Sequence, residues 1–370
     1  MVRYLRAQIE KDLDEKMVFV GGPRQVGKTT LAKTFLKMGS LGYLNWDVEE
    51  DRSQIIERRW PASRLWVFDE IHKYRRWRNL LKGLYDKYHE HVKVLVTGSA
   101  RLDYYRFGGD SLQGRYHYLR MHPLSVAELK IKHSSEFEDL TELGGFPEPF
   151  FSGSKTKSQR WAREYRQRLV REDIRELENF HDLATIELLA QRLPNLVGSP
   201  LSVNALREDL QVSHKSVQKW LRTLESMYHI FVVPPFGSPR IRAVKKAFKH
   251  YHLNWALIEN EDYRFENLIA AHLLKYQHFI EDTQGIDTEL RYFRDQDERE
   301  VDFVMIENQK PVLFVECKRT EFSPDPNLKY LKSKFPEVRA IQLVNAQRPR
   351  RITEQGIEVI WAPEFLRTLV

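Results

Sequence analysis

The sequence predicts an α/β protein whose first third contains a parallel sheet. Short apolar runs alternate with helical segments through the first 120 residues, and buried strands separated by helices are typical of parallel sheets. A helix is expected at 28–38, and an amphipathic helix at Trp77–His89. The apolar runs lie at 17–21, 42–47, 64–69, 92–98 and 116–121.

The pattern changes after the turn sequence Gly-Gly-Phe-Pro-Glu-Pro at 144–149. A charged helical stretch follows, then shorter helices, and β runs return from Leu290 onward. A chain of 370 residues is also too long for one ordinary core. We therefore expect a core at 1–122, a helical linker or lid at 123–197, a helix-turn-helix domain at 198–258 and a C-terminal domain at 259–370.

Composition excludes several classes of protein. Hydrophobic residues make up 42% and charged residues 30%, which is typical of a folded, soluble chain. No apolar run approaches the roughly 18 residues of a membrane span, and the charged N-terminus lacks the apolar stretch of a signal peptide. The single cysteine, Cys317, permits no internal disulfide. We expect a cytoplasmic protein without a membrane partner.

The clearest motif is a glycine-rich loop of the form G-x-x-x-x-G-K-[ST], which follows the first β run and opens a helix. Backbone N–H groups of such a loop bind phosphate oxygens. Lys28 would reach the β- and γ-phosphates, and the Thr29 hydroxyl would bind Mg²⁺. The sequence therefore predicts an ATP and Mg²⁺ site. Its predicted residues are Gly22, Pro23, Arg24, Gln25, Val26, Gly27, Lys28, Thr29 and Thr30.

Two acids end the third β run, 41 residues after Lys28. Asp69 is predicted to hold the Mg²⁺ shell, and Glu70 to orient and deprotonate the attacking water. An exposed helix-capping pair is the alternative interpretation.

Polar residues also end the next run. Ser99 is the first choice for a residue that senses the γ-phosphate, with Thr97 as the second, although a plain helix cap would also place them there. Arg115 precedes the fifth run, at an expected subunit edge. From there an arginine can reach a neighbour's γ-phosphate, and a surface arginine that pairs locally is the alternative.

Six separated motifs, in order, resemble the AAA-type ATPases of bacteria and archaea that carry a C-terminal domain of unknown function. They are GPRQVGKTTLAK, YLNWD, VFDEIHK, VTGSA, LQGRYHYLRMHPLSVAEL and GGFPEP. The resemblance implies an ASCE-type P-loop core with Glu70 as the catalytic acid and Arg115 at the arginine-finger position. An arginine that acts on a neighbour's ATP requires self-association, so we expect a homo-oligomer, for example a ring. This chain departs from the usual pattern at Asn254, where such proteins have an aspartate.

Residues 200–233 have the spacing of a helix-turn-helix, with Ser202 and Ser213 as expected helix caps. The β runs that flank 234–245 would form the two strands of a wing, which completes a winged helix. A protein-contact module or a lid is the alternative to DNA binding. The predicted DNA contacts are His214, Lys215, Ser216, Gln218 and Lys219 in the groove, and Arg240, Arg242, Lys245 and Lys246 in the wing.

Asp302 and Glu316 lie on successive C-terminal β runs, and Lys318 falls on the same strand face as Glu316. This arrangement resembles the PD-(D/E)XK nuclease fold. It predicts a second Mg²⁺ or Mn²⁺ at Asp302 and Glu316, with Glu266 and Lys318 nearby. A nuclease-like fold used only for binding or assembly, with the acids in ion pairs, is the alternative.

The sequence as a whole predicts a Mg²⁺-dependent ATPase coupled to DNA binding or remodelling. Net charge is +7, and five lysines or arginines without an acid lie between Phe231 and His250. This bias permits nucleic-acid binding. Two other interpretations stay open, namely an ATP-dependent regulatory switch and an ATP-gated, metal-dependent nuclease.

Overall fold

A computed structural model describes residues 1–36, 41–99, 102, 112–174, 182–237, 247–347, 350–353 and 355–370. The chain divides into two compact units, Met1–Pro123 and Leu124–Val370.

The first unit is built around a five-stranded parallel sheet with the strand order β2-β3-β4-β1-β5. Strand β4 therefore lies between β1 and β3, and both neighbours end at the same edge of the sheet. The strands are β1 (Met17–Gly21), β2 (Tyr43–Asn45), β3 (Leu65–Asp69), β4 (Lys93–Thr97) and β5 (Tyr116–Arg120). The helices are α1 (Arg6–Asp12), α2 (Lys28–Lys33), α3 (Glu49–Ile56) and α4 (Trp77–Tyr88), with a 3₁₀ turn at Ile71–Lys73.

Strand β1 is the centre of this unit, and all five of its residues are buried. A strand buried on both faces must be apolar throughout, which explains why the sequence shows a continuous run rather than an alternation. The ring of Phe19 stacks on Tyr116 at 4.4 Å between centroids and also contacts Trp77 of α4. The five predicted strands and the helix at Trp77 are confirmed, but the helix that begins at Lys28 ends at Lys33 rather than at residue 38.

The second unit begins with short helices and continues through the helix-turn-helix segment. Helix α8 continues into a π-helical turn at Leu169–Ile174, and 3₁₀ turns lie at Leu193–Leu196 and Trp255–Leu257. The first helices are α5 (Val126–Leu129), α6 (Ser134–Leu143), α7 (Pro147–Phe151), α8 (Lys155–Arg168) and α9 (Leu183–Arg192). The others are α10 (Val203–Leu210), α11 (His214–Ser226), α12 (Glu261–Gln284), α13 (Pro326–Lys334) and α14 (Ala362–Leu366).

Helices α10 and α11 are joined by a three-residue turn, in which Gln211 has a φ of 53°. Both predicted serine caps are present. The Ser202 hydroxyl accepts a hydrogen bond from the Ala205 N–H at 3.1 Å, and the Ser213 hydroxyl accepts one from the Ser216 N–H at 3.0 Å. An antiparallel ribbon of β6 (Ile230–Val233) and β7 (Lys249–His252) follows.

The C-terminal part is a six-stranded mixed sheet with the order β12-β13-β11-β10-β9-β8. Its antiparallel half, β8 to β10, is followed by parallel pairing of β10 with β11 and of β11 with β13. The strands are β8 (Thr288–Arg294), β9 (Glu300–Glu307), β10 (Lys310–Lys318), β11 (Arg339–Val344), β12 (Arg351–Ile352) and β13 (Ile357–Trp361). Within the described residues, no helix combines the length and the apolar character that a membrane crossing requires.

Candidate functional site

The glycine-rich loop connects β1 to α2 in a tightly folded conformation. A Cβ on Gly22, whose φ is +134°, would lie 2.3 Å from the backbone oxygen of Met121, so only glycine fits this close approach. Gly27 precedes α2 with a φ of 98°, in the left-handed region. The buried Arg3 stabilises the loop, because its guanidinium donates to the carbonyl oxygens of Val26 in the loop and of His122, at 2.6 Å each.

Lys28 is held over this loop. Its ammonium donates to the Gly22 carbonyl oxygen at 2.9 Å and to the Pro23 carbonyl oxygen at 2.5 Å, and only 7% of the residue is exposed. An ammonium carries a positive charge and only donates hydrogen bonds, so it is suited to an anionic partner. The loop and its lysine therefore fit the phosphates of a nucleotide.

Asp69, at the end of β3, accepts hydrogen bonds from three hydroxyl groups. Thr29 and Tyr43 donate to Oδ2 at 2.7 Å each, and Thr97 donates to Oδ1 at 2.6 Å. The parallel strands β2, β3 and β4 end at one edge, which is why residues far apart in the chain meet there. Burial and the bond to Asp69 raise the pKa of Tyr43 well above its ordinary value, so it stays a donor.

Glu70 follows directly with a φ of 57°, an unusual conformation for a residue with a side chain. Its N–H donates to the Thr97 carbonyl oxygen at 2.9 Å, which holds the turn. Burial raises the pKa of its carboxyl group, against the opposing effect of Lys28 and Lys73. Strain of this kind, held by the surrounding structure, is common at catalytic positions.

The two candidate sensing residues lie in different surroundings. Thr97 contacts Asp69, whereas the Ser99 hydroxyl is buried and has no hydrogen-bond partner among the described residues. The sensing role of either residue stays a prediction.

Arg115 lies at the opposite edge of the sheet from the glycine-rich loop. Met17 at the start of β1 pairs with Tyr116, whereas Gly21 at its end pairs with Arg120. At about 3.3 Å per residue, the five residues of β1 separate Arg115 from the loop by roughly 16 Å along the strand. Arg115 forms an ion pair with Asp86 of α4, with Nε 2.8 Å from Oδ1. This local pairing is the alternative that the sequence left open, and the arginine-finger role stays a prediction.

Comparison with protein families agrees with this geometry. Residues 14–130 match the family model described as an AAA domain. The match covers most of the first unit, which is therefore similar to AAA domains. Two domains of unknown function match the rest of the chain, DUF8612 at residues 134–260 and DUF4143 at residues 264–365.

Among curated proteins, an uncharacterised protein of Mycobacterium tuberculosis and one of Mycobacterium bovis are each 27% identical over 213 residues. The match covers 56% of this chain and 47% of each relative, so the chain spans about half the length of these proteins.

Among solved structures, the Orc1 protein of Aeropyrum pernix in complex with DNA is 13% identical. The match covers 74% of this chain and 95% of the Orc1 chain, with a TM-score of 0.35. A RuvB variant of Thermotoga maritima is 17% identical, with a TM-score of 0.29. The match covers 61% of this chain and 88% of the RuvB chain. These remote likenesses carry no argument about function.

In the second unit, helix α11 presents one polar face and one buried face. Its buried residues, Val217, Trp220, Leu221 and Leu224, recur at helical spacing. The predicted DNA contacts His214, Lys215, Gln218 and Lys219 all lie on the exposed face, and Ser216 is half-buried. The predicted wing contacts Arg240, Arg242, Lys245 and Lys246 lie outside the described residues.

The C-terminal acids do come together, but around a lysine that the sequence did not single out. The Lys249 ammonium lies 3.2 Å from Glu266 Oε1, 2.6 Å from Glu300 Oε1 and 3.6 Å from Asp302 Oδ1. The Tyr251 hydroxyl also donates to Glu266 Oε1, at 2.6 Å. Burial raises the pKa of Glu266 to about 7.

Asp302 and Glu316 are turned towards backbone N–H groups. The Cys317 N–H donates to Asp302 Oδ2 at 2.9 Å, and the Asp302 N–H donates to Glu316 Oε2 at 3.3 Å. Lys318 bridges Glu316 and Asp325 at 2.9 and 3.0 Å. Within the described part of the chain, no group of three or more histidine, cysteine, aspartate or glutamate side chains is arranged to hold a metal ion. The described geometry is that of ion pairs, and it does not fit the predicted second Mg²⁺ or Mn²⁺.

Proposed function

We propose that the AAA-type unit hydrolyses ATP with the help of Mg²⁺. The hydrogen bond between Thr29 and Asp69 is the observation that carries this proposal. It joins the end of the glycine-rich loop to the acid at the end of β3, two groups that a Mg²⁺-nucleotide site must hold side by side. The buried Lys28 supplies the cation that the phosphates require.

Each residue then has a distinct role. Lys28 binds phosphate, Thr29 and Asp69 hold the Mg²⁺ shell, and Glu70 takes a proton from the attacking water. Bound ATP supplies the phosphoanhydride bond, and Mg²⁺ neutralises charge on its phosphates. Tyr43 and Thr97 orient the Asp69 carboxylate through their hydroxyl groups.

We propose that hydrolysis requires self-association. Arg115 cannot serve the loop of its own subunit, because it lies at the other edge of the sheet. A second copy of the chain would receive the guanidinium at its γ-phosphate, where it stabilises transition-state charge. The Asp86 pair must open for this to occur.

We further propose that the helix-turn-helix segment binds DNA and couples it to ATP turnover. The exposed face of α11 carries His214, Lys215 and Lys219, and no acid lies between Leu210 and Leu224. An exposed basic face on the second helix of such a segment is complementary to the phosphates and base edges of a major groove.

A regulatory switch is the second candidate function, and the Arg115–Asp86 ion pair favours it. A subunit that keeps its arginine paired within itself would bind ATP and turn it over slowly. The nuclease candidate requires a metal among the C-terminal acids, which the ion pairs around Lys249 and Lys318 do not fit.

The test is the ATPase rate of the full chain with and without duplex, single-stranded and branched DNA. The coupled ATPase predicts multiple turnovers that one of these DNAs accelerates. Slow turnover unaffected by any of them would support the switch instead. Glu70→Gln, measured in parallel, identifies contaminating activity.

A further inference from the structure

Lys249 is one of the most deeply buried charged residues of the described chain, with 0% of the residue exposed. It lies on β7, opposite Val233 of β6, and its ammonium points into the space between α12 and β9. Three carboxylates from these two elements surround it, namely Glu266, Glu300 and Asp302. A charge in this position needs counter-ions, because an ammonium that is removed from water and left unpaired strongly destabilises the fold.

The acids of the cluster outnumber its cations. The carboxylates are Glu266, Glu300, Asp302, Glu316 and Asp325, and the cations that pair with them are Lys249, Lys318 and Arg294. Such an excess would attract a divalent ion if space for one existed among the oxygens. Mg²⁺ needs about 2.1 Å to each oxygen and an octahedral shell. The Lys249 ammonium already lies within hydrogen-bond reach of the Glu266 and Glu300 oxygens, so it and a metal cannot share this position.

We propose that Lys249 is the resident cation of this cluster and takes the place that a divalent metal would need. In this arrangement the acids serve structure, not phosphodiester cleavage. The proposal is independent of ATP hydrolysis, because every residue it uses belongs to the second unit.

The resident ammonium also has a mechanical consequence. Lys249 and Tyr251 lie two residues apart on β7, so both side chains leave the strand on one face, and both bond to Glu266 of α12. The ribbon that follows α11 is thereby fastened to the long helix and to β9. A metal at this position would require the Lys249 side chain to leave and would loosen that attachment.

The test uses Mn²⁺ as the probe and isothermal calorimetry on the full chain without nucleotide. The wild type should give no saturable heat from the C-terminal unit. Lys249→Met removes the ammonium but keeps a side chain of similar length, and should bind Mn²⁺ with a Kd at least about tenfold below the lower bound that the wild-type titration sets. Adding Asp302→Asn to Lys249→Met should abolish the new heat.

Lys275→Met is the matched control. Lys275 is also buried, but its ammonium pairs with Glu128 and donates to the Ser125 hydroxyl, away from the cluster. This variant loses a buried lysine that does not pair with Glu266, Glu300 or Asp302, so it should gain no Mn²⁺ binding at these acids. A gain equal to that of Lys249→Met would mean that loosening of the fold, rather than a vacated cation position, exposes the acids, and the proposal would fail.

Two further results would overturn the proposal. The first is Mn²⁺ binding by the wild type that Asp302→Asn removes, since the lysine would then not exclude the metal. The second is a folded Lys249→Met that binds no Mn²⁺. If Lys249→Met does not fold by circular dichroism, Lys249→Met/Glu300→Gln replaces it, because this variant removes one carboxylate with the cation. A rise of its Tm with Mn²⁺ concentration supports the proposal, and a constant Tm rejects it.

Discussion

The hydroxyl of Thr29 donates a 2.7 Å hydrogen bond to the carboxylate of Asp69, 40 residues later in the chain. Tyr43 shares the same carboxylate oxygen at the same distance. A carboxylate that receives three hydroxyl donors has its orientation fixed before any ligand arrives, and fixed orientation is what a metal shell requires of its ligands.

Removal of one of these donors should reduce turnover more than nucleotide binding. Tyr43→Phe deletes a hydrogen bond worth about 0.5–1.5 kcal/mol, so we expect ATP turnover to fall by about 2- to 10-fold. Nucleotide affinity should change less, because Lys28 and the loop are untouched. The measurement is kcat beside the Kd for ATP. Tyr85→Phe on α4, which is not a donor to Asp69, is the control and should behave as the wild type.

Glu70 and Lys28 should separate binding from chemistry. Glu70→Gln should retain ATP binding and lose about 10²- to 10⁴-fold in turnover, the usual contribution of a positioned general base. Lys28→Ala should lose binding itself. Burial raises the pKa of Glu70, and a protonated carboxyl group cannot act as the base. As the pH is lowered, the rate should therefore begin to fall at a higher pH than it would with an exposed glutamate. Turnover by Glu70→Gln at the wild-type rate would remove the residue from this role.

Arg115 should act on the ATP of a neighbouring subunit. Activity per subunit should then rise with protein concentration, and a mixture of Arg115→Ala with Glu70→Gln subunits should regain activity that neither has alone. Asp86→Asn releases Arg115 from its local ion pair, so it should increase the rate at low protein concentration. A strict monomer with a concentration-independent rate would contradict the model of action between subunits.

How much of this site could be predicted depended on distance along the chain. The glycine-rich loop is contiguous, and the acid at the end of an apolar run marks the end of a strand, so the sequence alone predicts that Lys28, Thr29 and Asp69 belong to one site. The hydrogen bond between Thr29 and Asp69 brings two of these residues together, and their roles stay predictions. Tyr43 was missed because its contact with Asp69 depends on which strands are neighbours, and the order β2-β3-β4 leaves no local signal.

Distance along the chain also explains which residues of the C-terminal cluster could be predicted from the sequence. Asp302, Glu316 and Lys318 share neighbouring strands, and their proximity followed from the alternation of the two β runs. Lys249 lies 53 residues before Asp302, on a ribbon of another part of the unit, and reads in the sequence as one more basic residue of the wing. Only the packing of β7 against α12 and β9 shows that it fills the space between the acids.

Three buried histidines on the ribbon should make the second unit sensitive to acid. His229, His250 and His252 are buried together, and burial lowers the pKa of His229 and of His250 to about 4. Arg166 adds to the effect on His229, and the Leu193 carbonyl oxygen, which bonds the His250 ring, opposes it for His250. The unfolded chain binds a proton at each site near pH 6.5, whereas the folded chain does so only near pH 4.

The free energy of unfolding should therefore have its full value above pH 6.5. It should fall as the pH decreases towards 4, by on the order of 3 kcal/mol for each of these two histidines. His250→Gln keeps a donor for the Leu193 carbonyl but cannot titrate, so it should flatten this dependence. The measurement is the free energy of unfolding in urea at pH 7, 6 and 5. His91→Gln, at an exposed position of the first unit, should leave the slope unchanged, and an unchanged slope in His250→Gln would contradict the prediction.

Helix α11 should supply electrostatic contacts to DNA. Lys215 and Lys219 lie one helical turn apart on its exposed face, so both can approach one groove. If each displaces a condensed counter-ion, the double variant Lys215→Gln/Lys219→Gln should bind duplex DNA more weakly and reduce the slope of log affinity against log salt by about 1.8. Fluorescence anisotropy over a range of KCl concentrations measures both quantities.

Lys310→Gln/Lys329→Gln is the matched control for this variant. It removes the same two charges from exposed positions on the C-terminal part of the second unit, so it lowers the net charge of the protein equally. A general attraction between a basic protein and DNA would respond alike to both double variants, whereas contacts made by α11 would respond to only one. A local counter-ion effect depends on which lysines lie at the interface and not on how many are removed from the protein. Equal slopes of log affinity against log salt for the two variants would therefore show that α11 does not make the DNA contact.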